Sequence, residues 1–254
     1  MKIITSVKVL ALMASMTATT AMAGTVDSLT VLVNGMHCDK CAHKVKTIVK
    51  SGPGIEGVRI NTERRTVTVA YDASLTCADS IKAHLDATGR YKTSAYSPSD
   101  PILRNCSLRI EDMHCQNCFN RISKRLQTVE GIDSLASHLD KHYISVRYDA
   151  NRTSKGDIRR VLGGLGFTPV NYYDSPKVAF AYYNIPAEAA TEETVGEVLA
   201  LAGVQDANVN ARQKSLAVTY MVGETSADAL LAAIKAAGIA AVLPPAHECK
   251  EGKL

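Results

Sequence analysis

Two pairs of cysteines in this chain have the same spacing and nearly the same neighbours. The segment MHCDKC contains Cys38 and Cys41, and the segment MHCQNC contains Cys115 and Cys118. A C-x-x-C pair at the start of a helix brings two sulfur atoms together beside the first N–H groups of the helix, which stabilise thiolate. Thiolates are the ligands that soft metal ions prefer. These four cysteines are therefore the predicted metal ligands.

The number of cysteines in each loop narrows the choice of metal. Two thiolates are an incomplete set for Zn(II), which usually takes four ligands, but they suffice for an ion that accepts two, such as Cu(I) or Hg(II). A two-ligand loop also leaves the ion open to an incoming thiol. The spacing thus favours a site for metal transfer or buffering over a permanent structural site.

The loops belong to a sequence unit that occurs three times. A shift of 77 residues superimposes the two cysteine pairs and aligns Tyr71 with Tyr148. A shift of 149 residues from the first copy aligns Tyr71 with Tyr220 and places Ala187 and Ala190 where the cysteines would stand. Because the tyrosine recurs in the copy that lacks cysteines, we interpret it as a packing residue.

Each copy has the same pattern of predicted elements. An apolar strand, the loop, an amphipathic helix, a two-strand element, a second helix and a short last strand give the order βαββαβ. The second strand of the two-strand element alternates in all copies, which predicts one buried and one solvent-exposed face. The predicted fold class is α+β, with domains over residues 27–97, 104–174 and 176–245.

The sequences GMHCDKC and DMHCQNC, each between a first strand and a first helix, resemble the heavy-metal-associated domain family. That family includes copper chaperones, the N-terminal modules of metal-exporting P-type ATPases and the periplasmic mercury-binding protein. The resemblance is close in two repeats and holds by pattern only in the third. It implies three tandem ferredoxin-like domains, the third without its cysteine pair, and Met36 and Met113 buried beneath the loops. Asp112 replaces the glycine usual before that methionine, which leaves the backbone shape of the second loop open.

The first residues indicate export. Lys2 and Lys8, a short apolar run and an Ala-Met-Ala site predict a signal peptide over residues 1–23, cleaved after Ala23. We therefore expect a periplasmic or secreted protein, with an N-terminal membrane anchor as the alternative. No later apolar run approaches the ~18 residues that span a bilayer, so no membrane association is expected after cleavage.

Charge and motifs exclude several functions. Without Lys2 and Lys8 the chain has 27 basic and 25 acidic residues, interspersed, which gives no basis for binding nucleic acid. No nucleophile–base constellation or phosphate-binding glycine loop occurs. We expect a non-enzyme whose partners are a metal ion and a metal donor or acceptor protein.

Other candidate residues have plainer explanations. His37, His43 and His114 could supply a nitrogen ligand, but surface loops favour solvated side chains. Cys77 and Cys106 are either buried thiols or a disulfide. The tail, residues 246–254, contains His247 and Cys249, which resemble a metal clip, although a terminus commonly lacks order. In members of the family that the loops resemble, an aromatic residue near the end of the second helix can approach the metal loop, and Tyr91 and Phe167 lie at that place.

The function predicted from these residues is Cu(I) capture, buffering or transfer to a partner through two C-x-x-C loops. Within the same class, the alternative is scavenging of Hg(II), Zn(II) or Cd(II). A thiol–disulfide oxidoreductase is the alternative from another class, since C-x-x-C pairs also serve redox chemistry.

Overall fold

The structure is a computed structural model that describes residues 25–36 and 39–244. The predicted signal peptide, the C-terminal tail with His247 and Cys249, and the loop residues His37 and Cys38 lie outside the described residues. The described residues form two compact units. The first repeat makes up most of one unit, and the second and third repeats make up most of the other.

The first two repeats have the predicted element order. The first contains β1 (Val26–Asn34), α1 (Asp39–Lys50), β2 (Ile55–Asn61), β3 (Thr66–Asp72), α2 (Ala78–Asp86) and β4 (Lys92–Ala95). The second contains β5 (Leu103–Arg109), α3 (Gln116–Leu126), β6 (Ile132–His138), β7 (Tyr143–Asp149), α4 (Lys155–Gly164) and β8 (Val170–Asn171). Their sheets have the strand orders β2-β3-β1-β4 and β6-β7-β5-β8. The first strand of each repeat thus lies inside its sheet and ends at the cysteine loop.

The third repeat is a shortened version of the same unit. It contains β9 (Val178–Asn184), α5 (Glu192–Leu199), β10 (Val204–Asn210), β11 (Ser215–Met221) and α6 (Ala227–Ala236). Its three strands have the order β10-β11-β9. In place of the predicted last strand, the described residues contain a single bridge in which the backbones of Asn184 and Val242 exchange two hydrogen bonds of 2.8 and 2.9 Å. The three repeats are therefore tandem βαββαβ units, as predicted, with the last strand of the third reduced.

Apolar side chains at strand and helix spacing form the core of each repeat. In the first, Val67, Val69 and Tyr71 of β3 pack with Val45 and Val49 of α1. In the third, the equivalent residues of β11 pack against α5 and α6; they are Leu216, Val218 and Tyr220. Packing of these stripes, rather than intrinsic propensity, stabilises helices as short as these.

The prediction of one exposed sheet face is wrong for the third repeat. In β7, Ile144 and Val146 are buried while Arg147, which points the opposite way, is exposed. In β11, Ala217 and Thr219 on that opposite face are fully buried as well. The hydroxyl of Thr219 donates a 2.9 Å hydrogen bond to the carbonyl of Asn171 in β8. The open face of the third sheet is therefore covered by the second repeat, which local alternation does not reveal.

Candidate metal centre

The second cysteine loop connects β5 to α3 at one end of the sheet. Met113 is fully buried, as the family resemblance implied, and its N–H donates to the carbonyl of Ile110 at 3.1 Å. Cys115 is the N-cap of α3, with an extended backbone, and Cys118 lies in the first turn. The prediction that this pair begins a helix is confirmed. The buried Met113 before the loop and helix α3 after it therefore fix the backbone conformation of the segment that contains both thiols.

The two sulfur atoms of this loop are close together and accessible. Cys115 is exposed, Cys118 is half-buried, and their Sγ atoms are 3.4 Å apart. A disulfide would require about 2.05 Å. Two thiolates on one metal ion, each about 2.3 Å from it, can be separated by as much as ~4.6 Å. Both sulfurs can therefore reach the same ion without a large movement of the backbone.

The pKa values of the two thiols shift in opposite directions. The N–H of Cys118 and then its thiol hydrogen-bond to the sulfur of Cys115 and lower the pKa of Cys115, and the charge of Arg121 acts in the same direction. Burial, followed by the hydrogen bond with Cys115, raises the pKa of Cys118. Cys115 is thus the first thiolate, and the Cys118 proton is the one that an incoming metal ion has to displace.

An arginine of α3 acts on this thiolate through its charge. Arg121 follows Cys118 by three residues, so both project from the same side of α3. Its guanidinium carbon is 4.8 Å from the ring centroid of the buried Phe167, within the range of a cation–π contact. Phe167 therefore contributes to the site by supporting Arg121. Sequence reasoning overlooked Arg121, although its position three residues after the second cysteine would have indicated it.

The histidine of the second loop faces solvent. His114 is exposed, and its ring meets that of His142 edge to face, with centroids 5.1 Å apart. Within the described part of the chain, no group of three or more His, Cys, Asp or Glu side chains is arranged to hold a metal ion. Of the other candidate histidines, His43 is exposed on α1.

The first loop shares the buried methionine but differs in its backbone. Met36 is fully buried, and Cys41 is buried in α1 with its sulfur 4.0 Å from Nη2 of Arg90. Gly35 has a φ of +91°, and a Cβ there would lie 2.6 Å from the carbonyl oxygen of Arg90. Asp112 is not among the residues with a left-handed backbone. The two loops therefore reach their methionines by different turns, as the replacement of glycine by Asp112 allows.

The first site also has an arginine above an aromatic ring. The guanidinium carbon of Arg90 is 5.7 Å from the ring centroid of Tyr91, which is buried. Arg90 comes from the segment after α2, whereas Arg121 of the second site comes from the first helix of its repeat. Different positions in the two repeats thus bring a cation close to a cysteine of each loop.

The two isolated cysteines are not joined in a disulfide. Cys77 is the exposed N-cap of α2, and a hydrogen bond with Ser80 lowers its pKa. Cys106 lies in β5, where burial raises its pKa to about 12. Both are free thiols, so the disulfide alternative is wrong. Of these two cysteines, Cys77 has the exposure and the lowered pKa of a reactive thiol, whereas Cys106 does not.

Comparison with known proteins places the cysteine loops in a family. The heavy-metal-associated domain family matches residues 30–90 and residues 107–168, which lie in the first and second repeats. No helix within residues 25–36 and 39–244 has both the length and the apolar character needed to cross a membrane.

Curated relatives are similar over about half of the chain. The copper-exporting P-type ATPase of Bacillus subtilis is 27% identical over 135 residues, which is 53% of this chain and 16% of that protein. Human copper-transporting ATPase 2 is 23% identical over 165 residues, which is 55% of this chain and 11% of that protein. The chain thus spans less than a fifth of the length of these two relatives.

Among solved structures, the N-terminal soluble domains of Bacillus subtilis CopA are 24% identical, with a TM-score of 0.27, over 61% of this chain and 99% of that one. The family assignment depends on the matched sequence ranges, each of which contains one of the cysteine pairs. The first and second repeats of this chain are heavy-metal-associated domains.

Proposed function

We propose that this protein binds one Cu(I) ion in each of two loops, through Cys38 and Cys41 and through Cys115 and Cys118, and buffers the ion or transfers it to a partner protein. The observation that carries the proposal is the pair of accessible sulfurs, 3.4 Å apart, in the second loop. Soft thiolate ligands in a two-coordinate arrangement suit Cu(I). The matched copper ATPases support the same choice of metal.

Charge balance explains the role of the arginine beside the second loop. Cu(I) with two thiolates carries a net charge of −1, and Arg121 already lowers the pKa of Cys115 by its positive charge. A nearby cation stabilises the anionic complex more than it stabilises the neutral thiols. Arg121 therefore favours the metal-bound state of the second loop.

Transfer would begin at the exposed cysteine. A thiolate of the partner would add to the ion, which then has three sulfur ligands, and Cys115 would leave it. A second thiolate of the partner would then replace Cys118, and the ion would pass to the partner. Cys118 is half-buried and stays in place during the first step. The absence of net oxidation or reduction makes this a ligand exchange, and the protein acts as a carrier and not as an enzyme. Export of the chain would place the carrier in the periplasm or outside the cell.

The test is a Cu(I) titration of the anaerobically reduced protein against a competing chelator. We expect two tightly bound ions in the parent chain and none in a variant with the four loop cysteines changed to Ser. The matched control changes Cys77 and Cys106 to Ser, which removes two thiols and leaves both loops intact. Binding that survives the loop substitutions, or that is lost in the control, would contradict the proposal.

The same titration distinguishes the other metals. With Hg(II), Zn(II) and Cd(II) as competitors under excess low-molecular-weight thiol, a Cu(I) site should retain Cu(I). Displacement of Cu(I) by Hg(II) at equal concentration would favour mercury scavenging. Two-sulfur loops should bind Zn(II) weakly because a zinc site usually requires about four ligands.

One observation favours the redox alternative. A thiol with a lowered pKa next to a second thiol is also the arrangement of a disulfide exchange enzyme. Catalytic reduction of a model disulfide by the reduced protein would establish that activity. The carrier hypothesis predicts stoichiometric reaction only, without turnover.

A further inference from the structure

The third repeat contacts the segment of the second repeat that contains Phe167. The hairpin between β10 and β11 lies against residues 163–167, which follow α4 of the second repeat. Nδ2 of Asn210 donates to the carbonyl oxygens of Gly163, at 3.1 Å, and Phe167, at 2.9 Å. The guanidinium of Arg212 donates to a further carbonyl of the segment at 3.3 Å. Three hydrogen bonds from one hairpin thus hold one short segment of the neighbouring repeat.

The side chain of Asn210 is itself held in place. Its Oδ1 accepts the N–H of Arg212 at 3.1 Å and the N–H of Gln213 at 3.3 Å, which fixes the amide within its own turn. Asn210 is buried, with 7% of its surface exposed. The carbonyl of Gly163 also accepts the N–H of Gly166 at 3.0 Å. Because a buried carbonyl that loses its donor costs free energy, it is the carbonyl of Phe167 that depends on this amide.

The segment has a glycine with a left-handed backbone where the hairpin approaches it. Gly166 has a φ of +93°, and a Cβ at that position would lie 2.8 Å from Nε2 of Gln213. The hairpin and the segment are therefore in close contact at the residue just before Phe167.

Phe167 links this contact to the second cysteine loop. Its ring is 4.8 Å from the guanidinium carbon of Arg121, which follows Cys118 by three residues on α3. A series of contacts therefore runs from Asn210 through Phe167 to Arg121, on the helix that begins at the cysteine pair.

A second contact reaches the other side of the loop. The ring centroid of Phe180, in β9 of the third repeat, is 4.9 Å from the guanidinium carbon of Arg109. Arg109 also forms an ion pair of 2.7 Å with Glu111, which precedes the buried Met113 by two residues. The third repeat thus contacts the residues just before the loop, Arg109 to Glu111, as well as the segment that contains Phe167.

We propose that the third repeat holds the second metal loop in its binding shape and that Asn210 is a positioning residue for that loop. This inference rests on the proposed binding of metal by Cys115 and Cys118. It assigns a role to the repeat that lacks cysteines, and it makes the affinity of the second site depend on residues of the third repeat.

The direct test is Asn210→Asp in the full chain. Aspartate keeps the oxygen that accepts the two N–H groups of the turn, but it cannot donate to the carbonyls of Gly163 and Phe167. The matched control is Asn61→Asp in the first repeat. Asn61 occupies the equivalent position and accepts the N–H of Arg64 at 2.8 Å, but its side chain is exposed. Both variants are made in a chain with Cys38 and Cys41 changed to Ser, so that only the second site binds.

We expect Asn210→Asp to bind Cu(I) up to about threefold more weakly than its parent, since loosening the support of Arg121 cannot cost more than removing the Arg121 charge itself. The control should bind like the parent. A thermal melt of each variant checks that the fold is retained. If Asn210→Asp does not fold, Arg212→Ala replaces it, because Arg212 is exposed and its loss should weaken binding in the same direction by a smaller factor.

A metal-free readout separates this inference from the proposed function. Hydrogen exchange in residues 113–121 should be faster in Asn210→Asp than in Asn61→Asp, since the loop loses its support. Faster exchange would uphold the positioning role even if the parent chain bound no Cu(I). Unchanged exchange together with unchanged Cu(I) affinity in a folded Asn210→Asp would overturn it.

Discussion

The second and third repeats share one topology but use the first turn of their first helix differently. In the second repeat, α3 begins at Cys115, and the N–H of Cys118 lowers the pKa of the Cys115 thiol. In the third, α5 begins later, after Thr191, whose hydroxyl accepts the N–H of Thr194 at 3.2 Å. The N-terminal end of the first helix thus stabilises a thiolate in the second repeat and is capped by a hydroxyl in the third.

The difference extends to the segment before the helix. Residues Ala187–Ala189 of the third repeat form a short 3₁₀ turn at the place where the second repeat has its cysteine loop. Loss of the cysteines is thus accompanied by a shorter helix with an ordinary cap. We therefore infer that a metal loop of this kind requires a particular helix start as well as two thiols.

The largest effect should come from an attempt to restore the lost site. In a chain whose four loop cysteines are Ser, Ala187→Cys with Ala190→Cys should bind Cu(I) at least about 100-fold more weakly than the chain that keeps Cys115 and Cys118. The reason is that the new thiols lie in the 3₁₀ turn before the helix. Competitive Cu(I) titration of both chains provides the measurement, and equal affinity would mean that the helix start is irrelevant.

A smaller effect should distinguish the two thiols of the second loop. At about pH 6.5, Cys115 should be alkylated roughly tenfold faster than Cys118, since its pKa lies below and that of Cys118 above the usual value of a thiol. The ratio should decrease as the pH rises, because Cys118 then also becomes a thiolate. Mass spectrometry after brief iodoacetamide treatment measures it. Denatured protein, in which both thiols should react alike, is the control.

The hydroxyl cap of the third repeat should contribute a modest stability. Thr191→Ala removes the acceptor of the Thr194 N–H, and we expect a loss of about 1 kcal/mol in the free energy of unfolding. Urea denaturation provides the value. Thr191→Ser, which keeps the hydroxyl, is the matched control and should lie near the parent; a loss of equal size in both variants would point to packing instead of capping.

The smallest effect should come from the cation beside the second loop. Arg121→Gln should weaken Cu(I) binding by about threefold at low salt, since an exposed charge is strongly screened. Lys124→Gln removes an equal charge from the same helix one turn further along and should change the affinity less. Competitive Cu(I) titration of both variants at two salt concentrations tests this prediction. The difference in Cu(I) affinity between the two variants should decrease as salt is added.

Much of the fold could be predicted from local pattern because each repeat builds its own core. The alternation of Ile144, Val146 and Tyr148 is followed in the structure, and the burial of Met36 and Met113 agrees with the family resemblance. These features depend on neighbours within one repeat. They can be inferred wherever hydrophobic periodicity and loop chemistry agree.

Features that arise between repeats could not be predicted in this way. The burial of Ala217 and Thr219 depends on the second repeat, and nothing in the alternation of β11 distinguishes it from β7. Whether Cys77 and Cys106 form a disulfide likewise depends on tertiary geometry, and both are free thiols. For Cys115 and Cys118 the spacing predicted the helix start, but the opposite pKa shifts depend on the Cys118 N–H beside the sulfur of Cys115 and on the burial of Cys118.

The covered face of the third sheet has an evolutionary consequence. Ala217 and Thr219 are fully buried in this chain, and the hydroxyl of Thr219 is hydrogen-bonded to the backbone of the second repeat. A genetic rearrangement that moved the third repeat alone would expose this surface to water and to other chains. Recombination would therefore be expected to preserve the second and third repeats as an inherited pair.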